Sequence, residues 1–260
     1  MASGATEQYV HYETADRVAR IRLDRPDAGN RIHSTMMRQL IDALDAATNA
    51  AADVIVITAS GPDFSVGRDQ AEVLPQGMSK LDNIELIVRA NRLLTGFPGI
   101  TVASVRGRAL GFGCGVAVQS DIALAADTAE LGFDEIHHGT APAFVMSYLE
   151  DYVGPKRALD LIVTGRILPA HEAERYGLLS RVVAADSLDA ATGALVQTLL
   201  AAPGELLARC KAYLRDNRRV APDGRLDHAL DTFAARLAPP APDTAGARPP
   251  ARKAVHHGGK

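Results

Sequence analysis

Three short segments fix the class of fold open to this chain. "DVIVITAS" (53–60), "ITVASVRG" (100–107) and "DIALAAD" (121–127) are apolar at odd and even positions alike, and the first is rich in β-branched residues. A strand with one wet face alternates in polarity. A strand apolar on both faces must be covered on both, as in parallel sheets sandwiched by helices. "RVARIRLDRP" (17–26) does alternate, through Val18, Ile21 and Leu23, until Pro26 ends it. Between these segments, "HSTMMRQLIDALDAATNA" (33–50) carries Met36, Met37, Leu40, Ile41, Leu44 and Ala47 at helical spacing. "NIELIVRANRLLTGF" (83–97) does the same with Ile84, Ile87, Ala90, Leu94 and Phe97. The order is strand, helix, strand, loop, helix, strand, glycine turn, short helix, strand: an α/β protein.

Further along, Pro155 and Gly165 bracket one short helix and Pro169 and Gly177 another, with proline early and glycine just past the end. "RVV" (181–183) reads as a last strand, and residues from Asp186 to about Leu237 read as helix. The proline-rich stretch 238–260 reads as disordered. A formal charge of −3 gives no electrostatic reason to expect nucleic acid or an anionic membrane as partner. Cys114 and Cys210 are the only cysteines, so no disulfide scaffold is expected and a reducing compartment, the cytoplasm, is. The polar first residues do not resemble a signal peptide, and no apolar run approaches the roughly 20 residues of a membrane span.

"GRALGFGCGVAVQSDIAL" (107–124) places Gly107, Gly111, Gly113 and Gly115 ahead of a small-residue helix, but spells neither a dinucleotide fingerprint nor a P-loop. A helix entered through such a turn offers unpaired N–H groups to an anion, or to an oxyanion developing on a carbonyl. "SGPDFSVGRDQAEV" (60–73) has the same look, following a strand and turning through Gly67 before Arg68. Glycines at both places also serve plain close packing. Glu135, in "AELGFDEIHHGTAP", has apolar neighbours that would raise its pKa and suit it to acid/base work. It also reads as a surface acid paired with a cation, and Asp134 competes for the same role. His137–His138 and His256–His257 carry no metal-ligand spacing, so no metal is expected. Arg68 is either a charged ligand contact or a solvated turn residue.

Four segments in order, "RIRLDRPDAGN", "VIVITASGPDFSVGRDQAE", "ASVRGRALGFGCGVAVQSDIALAADTAELGFDEIHHGTAP" and "VGPKRALDLIVTGRILPAHEAERYGLLSRVV", resemble the crotonase superfamily, the enoyl-CoA hydratase/isomerase family, over about residues 17–184. The resemblance implies a crotonase-like spiral of ββα units over 1–190. A helical trimerisation region over 191–237 and the tail 238–260 would follow, the whole assembling as a homotrimer or a dimer of trimers. It implies an acyl-CoA thioester as substrate, with CoA entering as part of that substrate and no other cofactor. The enolate formed on the thioester would sit between the backbone N–H groups of Arg68 and Phe112, with Glu135 as acid/base. Arg68, Asp69, Gln70, Ala71 and Phe112 would bind the substrate. The departure falls at Gly115, where hydratases of the family carry a second glutamate. That favours enoyl-CoA isomerisation through one carboxylate. The alternatives are a single-glutamate hydratase or hydratase-lyase, a β-diketone C–C hydrolase using His137 or His138, and a non-catalytic acyl-CoA-binding paralogue. Leu74, Met78, Phe144, Met146 and Phe233 are candidate pocket walls. The ending "DTFAARLAPP" lacks the basic, aromatic-flanked form seen in relatives, so nucleotide contacts made there do not carry over.

Overall fold

A computed structural model describes residues 7–237. In chain order its elements are β1 (Val10–Ala15), β2 (Val18–Leu23), α1 (Ser34–Asn49), β3 (Val54–Ala59), α2 (Lys80–Gly96), β4 (Ile100–Val105), β5 (Arg108–Leu110), α3 (Phe112–Gln119), β6 (Ile122–Ala126) and β7 (Glu130–Gly132). Then come α4 (Ala143–Met146), α5 (Glu150–Val153), α6 (Pro155–Thr164), β8 (Ile167–Pro169), α7 (Ala170–Tyr176), β9 (Arg181–Val183), α8 (Leu188–Leu200), α9 (Gly204–Asn217) and α10 (Arg225–Leu237). The main sheet runs β1-β2-β3-β4-β6-β9 and is parallel except for the β1–β2 pair.

The sheet is covered on both faces, as its apolar strands require. Ile21, Ile55, Ile57, Ala103 and Val105 share one core with α1, α2 and α3. The alternate residues Val18, Val54, Val56 and Val102 pack with Leu188, Leu195 and Val196 of α8 in a second. On α1, Met36, Met37, Leu40, Ile41, Leu44 and Ala47 are all buried, as the spacing predicts. Each large side chain so placed stabilises the fold by about 1.5–3 kcal/mol. α2 begins at Lys80, three residues before the sequence reading, because a capping box precedes its apolar stripe. The Ser79 hydroxyl accepts from Asp82 N at 3.0 Å and the Asp82 carboxylate accepts from Ser79 N at 2.7 Å.

Other strands escape the sequence reading. β1 is an edge strand whose later residues are exposed, so "VHYETA" shows no apolar alternation. β5, β7 and β8 have three residues each, too short for a period, and form a separate small sheet in the order β5-β7-β8. That sheet sets up the site. β5 pairs with β7 in parallel, with Leu110 opposite Gly132, so the chain leaves both strands at the same level. The loop after β3 runs alongside: Phe64 N and Ser65 N donate to the Arg106 and Arg108 carbonyls, and Leu110 N donates to Ser65 O.

Asp63 pins this alignment. Its buried carboxylate accepts from Arg108 N, Nε and Nη2 at 3.0, 3.0 and 2.6 Å. Asp63→Ala should lower stability in urea melts by about 1–3 kcal/mol. Hydrogen bonding to Arg108 holds this carboxyl below the ordinary aspartate value despite its burial. The contribution is therefore present above about pH 3.8 and fades as pH falls through the folded pKa.

The described chain forms two compact units, 7–213 and 214–237. The 190/191 boundary expected from sequence falls inside α8, whose apolar face belongs to the sheet core. The second unit contains the end of α9, a 3-10 turn at Pro222–Gly224 and α10. The tail reading for 238–260 lies outside the described residues.

Candidate active site

The two glycine turns meet. Gly67 has φ +94° and Gly111 has φ +49°, conformations that L side chains rarely adopt. A Cβ built on Gly111 would lie 3.8 Å from the Gly67 Cα, and one built on Gly67 would lie 3.2 Å from the Leu110 carbonyl oxygen. Each turn leaves one amide unused. Gly67 O accepts from Ile32 N at 2.9 Å and Asp69 N donates to Ile32 O at 3.1 Å. Arg68, between them, is the paired residue of an isolated parallel bridge. In such a ladder the groups of alternate residues face opposite sides, so the Arg68 N–H is turned away from Ile32. On the other turn, Gly111 N donates to Gly132 O at 2.9 Å and α3 starts at Phe112, whose N–H is among the first, unpaired donors of the helix. Neither the Arg68 nor the Phe112 amide has an acceptor among the described residues.

Glu135 completes the cluster. It opens a 3-10 turn (Glu135–His138) just past the end of β7, and its Oε1 lies 3.1 Å from where a Gly111 Cβ would stand. Its Oε2 is buried without a hydrogen-bond partner among the described residues. Burial raises the carboxyl above the ordinary glutamate range, and the Asp134 charge adds to this. Asp134, the competitor in the sequence reading, has its own carboxylate 3.4 Å from His138 Nε2.

The other predicted residues divide between this cluster and its outer side. The Arg68 side chain is mostly buried, and Nη2 donates to Asn83 Oδ1 on α2 at 2.6 Å. Desolvation lowers its pKa, and Glu72, 3.7 Å away, opposes that. The Glu72 carboxylate in turn accepts from Ser34 N at the start of α1. The Asp69 carboxylate is held by Arg25 at 2.7 Å. Burial alone would raise Asp69, but the hydrogen bond and charge of Arg25, with the Ala71 backbone and His33, together hold it low. Gln70 and Ala71 are exposed. Asp69 and Ala71 line an open cleft of about 530 Å³ with Tyr9, Arg25, His33 and Glu72. Leu74, Met78 and Phe144 are half-buried, Met146 is half exposed, and Phe233 is exposed in the second unit. His137 packs on Gly165, and no group of three metal-ligating side chains occurs among the described residues.

Gly115, where the second glutamate of relatives would stand, is not an empty place. A Cβ built there would lie 2.7 Å from the Tyr148 hydroxyl and 3.8 Å from Gln119 Nε2. Sequence reasoning missed Tyr148. It lies 33 positions along the chain from Gly115, between α4 and α5, and no spacing links the two. Next to Gly115, the Cys114 thiol is fully buried and pushed far above the ordinary range by desolvation, whereas Cys210 is exposed. A charged alkylating reagent should therefore label one thiol per folded chain, at Cys210, and two only after denaturation.

Comparisons with known proteins identify the family. The sequence profile described as "Enoyl-CoA hydratase/isomerase" matches residues 13–233. A "Probable enoyl-CoA hydratase" of Rhizobium meliloti (strain 1021) is 39% identical over 186 residues, 68% of this chain and 69% of its own length. A hydroxycinnamoyl-CoA hydratase-lyase of Pseudomonas fluorescens is 30% identical over 199 residues, 74% of this chain and 72% of its own. The crystal structure of an enoyl-CoA hydratase from Mycobacterium smegmatis superposes with a TM-score of 0.81 at 26% identity, covering 90% of this chain and 93% of that one. No helix among the described residues is long and apolar enough to cross a membrane. From the profile match, the relatives and the fold together, the chain belongs to the enoyl-CoA hydratase/isomerase family of the crotonase superfamily.

Proposed function

We propose that this enzyme stabilises a thioester enolate between the Arg68 and Phe112 amides and moves a single proton with Glu135, converting a 3-enoyl-CoA to its 2-enoyl isomer. The observation that carries this reading is the lone carboxyl: Glu135 has a buried, unpartnered oxygen at the two glycine turns, and position 115 supplies no second acid. The thioester oxygen accepts from both amides. The ionised Glu135 takes a proton from the α-carbon, leaving a dienolate whose charge rests on that oxygen. The same carboxyl, now protonated, delivers the proton to the γ-carbon, and the double bond ends conjugated to the thioester. CoA enters with the substrate and no other cofactor is needed. As the resemblance implies, the working assembly is a homotrimer or a dimer of trimers.

A second reading, hydration with or without C–C cleavage, is favoured by the names of the relatives, a hydratase and a hydratase-lyase. Incubation of a trans-3-enoyl-CoA in heavy-oxygen water separates the two. Isomerisation yields unlabelled trans-2-enoyl-CoA as the first product. Unchanged trans-3-enoyl-CoA, together with labelled 3-hydroxyacyl-CoA formed from trans-2-enoyl-CoA under the same conditions, would overturn the isomerase reading in favour of hydration.

A further inference from the structure

The polar group over Gly115 comes from a different element than the sequence pattern suggests, and its chemistry differs from a carboxylate. The Tyr148 oxygen stands where a side chain from residue 115 would begin. The ring is half-buried and meets Tyr152 edge-on, with centroids 6.3 Å apart, which fixes its direction. The Gln119 amide lies beside it, its Nε2 3.8 Å from the same built Cβ and donating to Gly115 O at 3.3 Å. No hydrogen bond from the phenol to a protein acceptor is formed among the described residues, which leaves its proton for a ligand. Residue 115 follows Phe112 by three positions on α3, about 4.5 Å along the helix axis. On the proposed reading, an acyl chain that runs from a carbonyl held by the Phe112 amide along α3 meets Tyr148 two to three bonds further on.

We propose that Tyr148 donates its hydroxyl proton to an oxygen on the β-carbon of the bound acyl chain, so that the site prefers 3-hydroxyacyl or 3-oxoacyl thioesters to plain acyl thioesters. The proposal rests on the reading that the thioester lies between the Arg68 and Phe112 amides. Of the two reactions, only hydration gives a product with an oxygen on the β-carbon; under isomerisation the preference is for a competing ligand and is read by binding alone. Desolvation holds the phenol well above the ordinary tyrosine range, so this group serves as a neutral donor and not as a second base.

The test compares butyryl-CoA, 3-hydroxybutyryl-CoA and acetoacetyl-CoA as ligands of the full chain by titration calorimetry. Wild type should bind the two oxygenated thioesters roughly five- to tenfold more tightly than butyryl-CoA, the worth of one hydrogen bond. Tyr148→Phe should erase that preference while leaving butyryl-CoA affinity within about twofold of wild type. Gly115→Ala provides a second route, because its Cβ needs the space of the hydroxyl; it too should abolish the preference with the phenol intact. An undiminished preference in folded Tyr148→Phe, or equal binding of all three by wild type, overturns the proposal and leaves the catalytic reading standing. If none of the three binds wild type, the acyl-CoA reading itself falls and takes this proposal with it.

Discussion

Glu135→Gln is expected to lower turnover on the preferred enoyl-CoA by about 10²–10⁴-fold, the usual worth of a positioned acid/base, while making the protein more stable at neutral pH. Both effects have one source. The carboxyl is buried with Oε2 unpartnered, which suits it to accept a substrate proton and makes its ionised form costly to hold. Folded Glu135 binds its proton more tightly than unfolded glutamate, so between about pH 4.5 and its raised folded value the native state carries the extra proton. Stability is lost as pH rises through that window. Glutamine bears no such cost. The variant should melt higher than wild type at pH 7, and the gap should close as the pH is brought below about 4.5. Thermal melts across pH, run beside steady-state kinetics, check both halves. Turnover within a few-fold of wild type would remove Glu135 from the chemistry, and a lower melting point at pH 7 would show that its burial is compensated.

Gly111→Ala should be nearly as damaging to turnover and, unlike the first variant, should also destabilise. The residue sits at φ +49°, ψ −120°, and its new methyl would stand 3.1 Å from Glu135 Oε1 and 3.8 Å from the Gly67 Cα. Forcing a side chain into that backbone region costs about 1–3 kcal/mol. Relief of the strain rotates the peptide that carries the Phe112 amide. Losing one oxyanion donor typically lowers kcat by about 10²–10³-fold. Gly77→Ala separates strain from site geometry. That glycine also has positive φ, at +84°, but a Cβ there meets nothing within 4 Å. Its variant should lose some stability and keep its turnover. Should Gly111→Ala match Gly77→Ala in kcat, the Phe112 amide would have no special role.

The sequence and the structure agree best where long elements bury a face. The stripe Met36 to Ala47 is long enough to show a period, the strands around Val56 and Val102 are apolar on both faces, and each is buried as its pattern requires. Gly67, Gly111 and Glu135 could be singled out because a backbone that must turn tightly, or a carboxyl among apolar residues, leaves a local mark. What stayed illegible is whatever depends on contacts between distant segments. β5, β7 and β8 are strands only because they pair with one another. Tyr148 is an ordinary aromatic residue until the fold sets its hydroxyl over Gly115. The carboxylate of Asp69, read as a ligand contact, is paired with Arg25, an ion pair between residues 44 positions apart that no local pattern announces. Arg68 was open between ligand and solvent, and the structure gives its side chain to Asn83 while its amide is turned away from Ile32.

The small sheet has a bearing on how such a site diversifies. Leu110 and Gly132 are paired neighbours, and the hydrogen bond from Gly111 N to Gly132 O ties the donor turn to the strand that leads into Glu135. The Phe112 amide and Glu135, donor and proton carrier in the proposed reaction, thus hang from one frame and shift together when surrounding packing changes. Tyr148 comes from outside that frame, on a segment flanked by very short helices. Substitutions there can alter what meets the far part of the acyl chain without disturbing the donor–carboxyl geometry. On the proposed reading, the division separates the chemical unit from the reader of the substrate, so specificity can change around an unchanged first step.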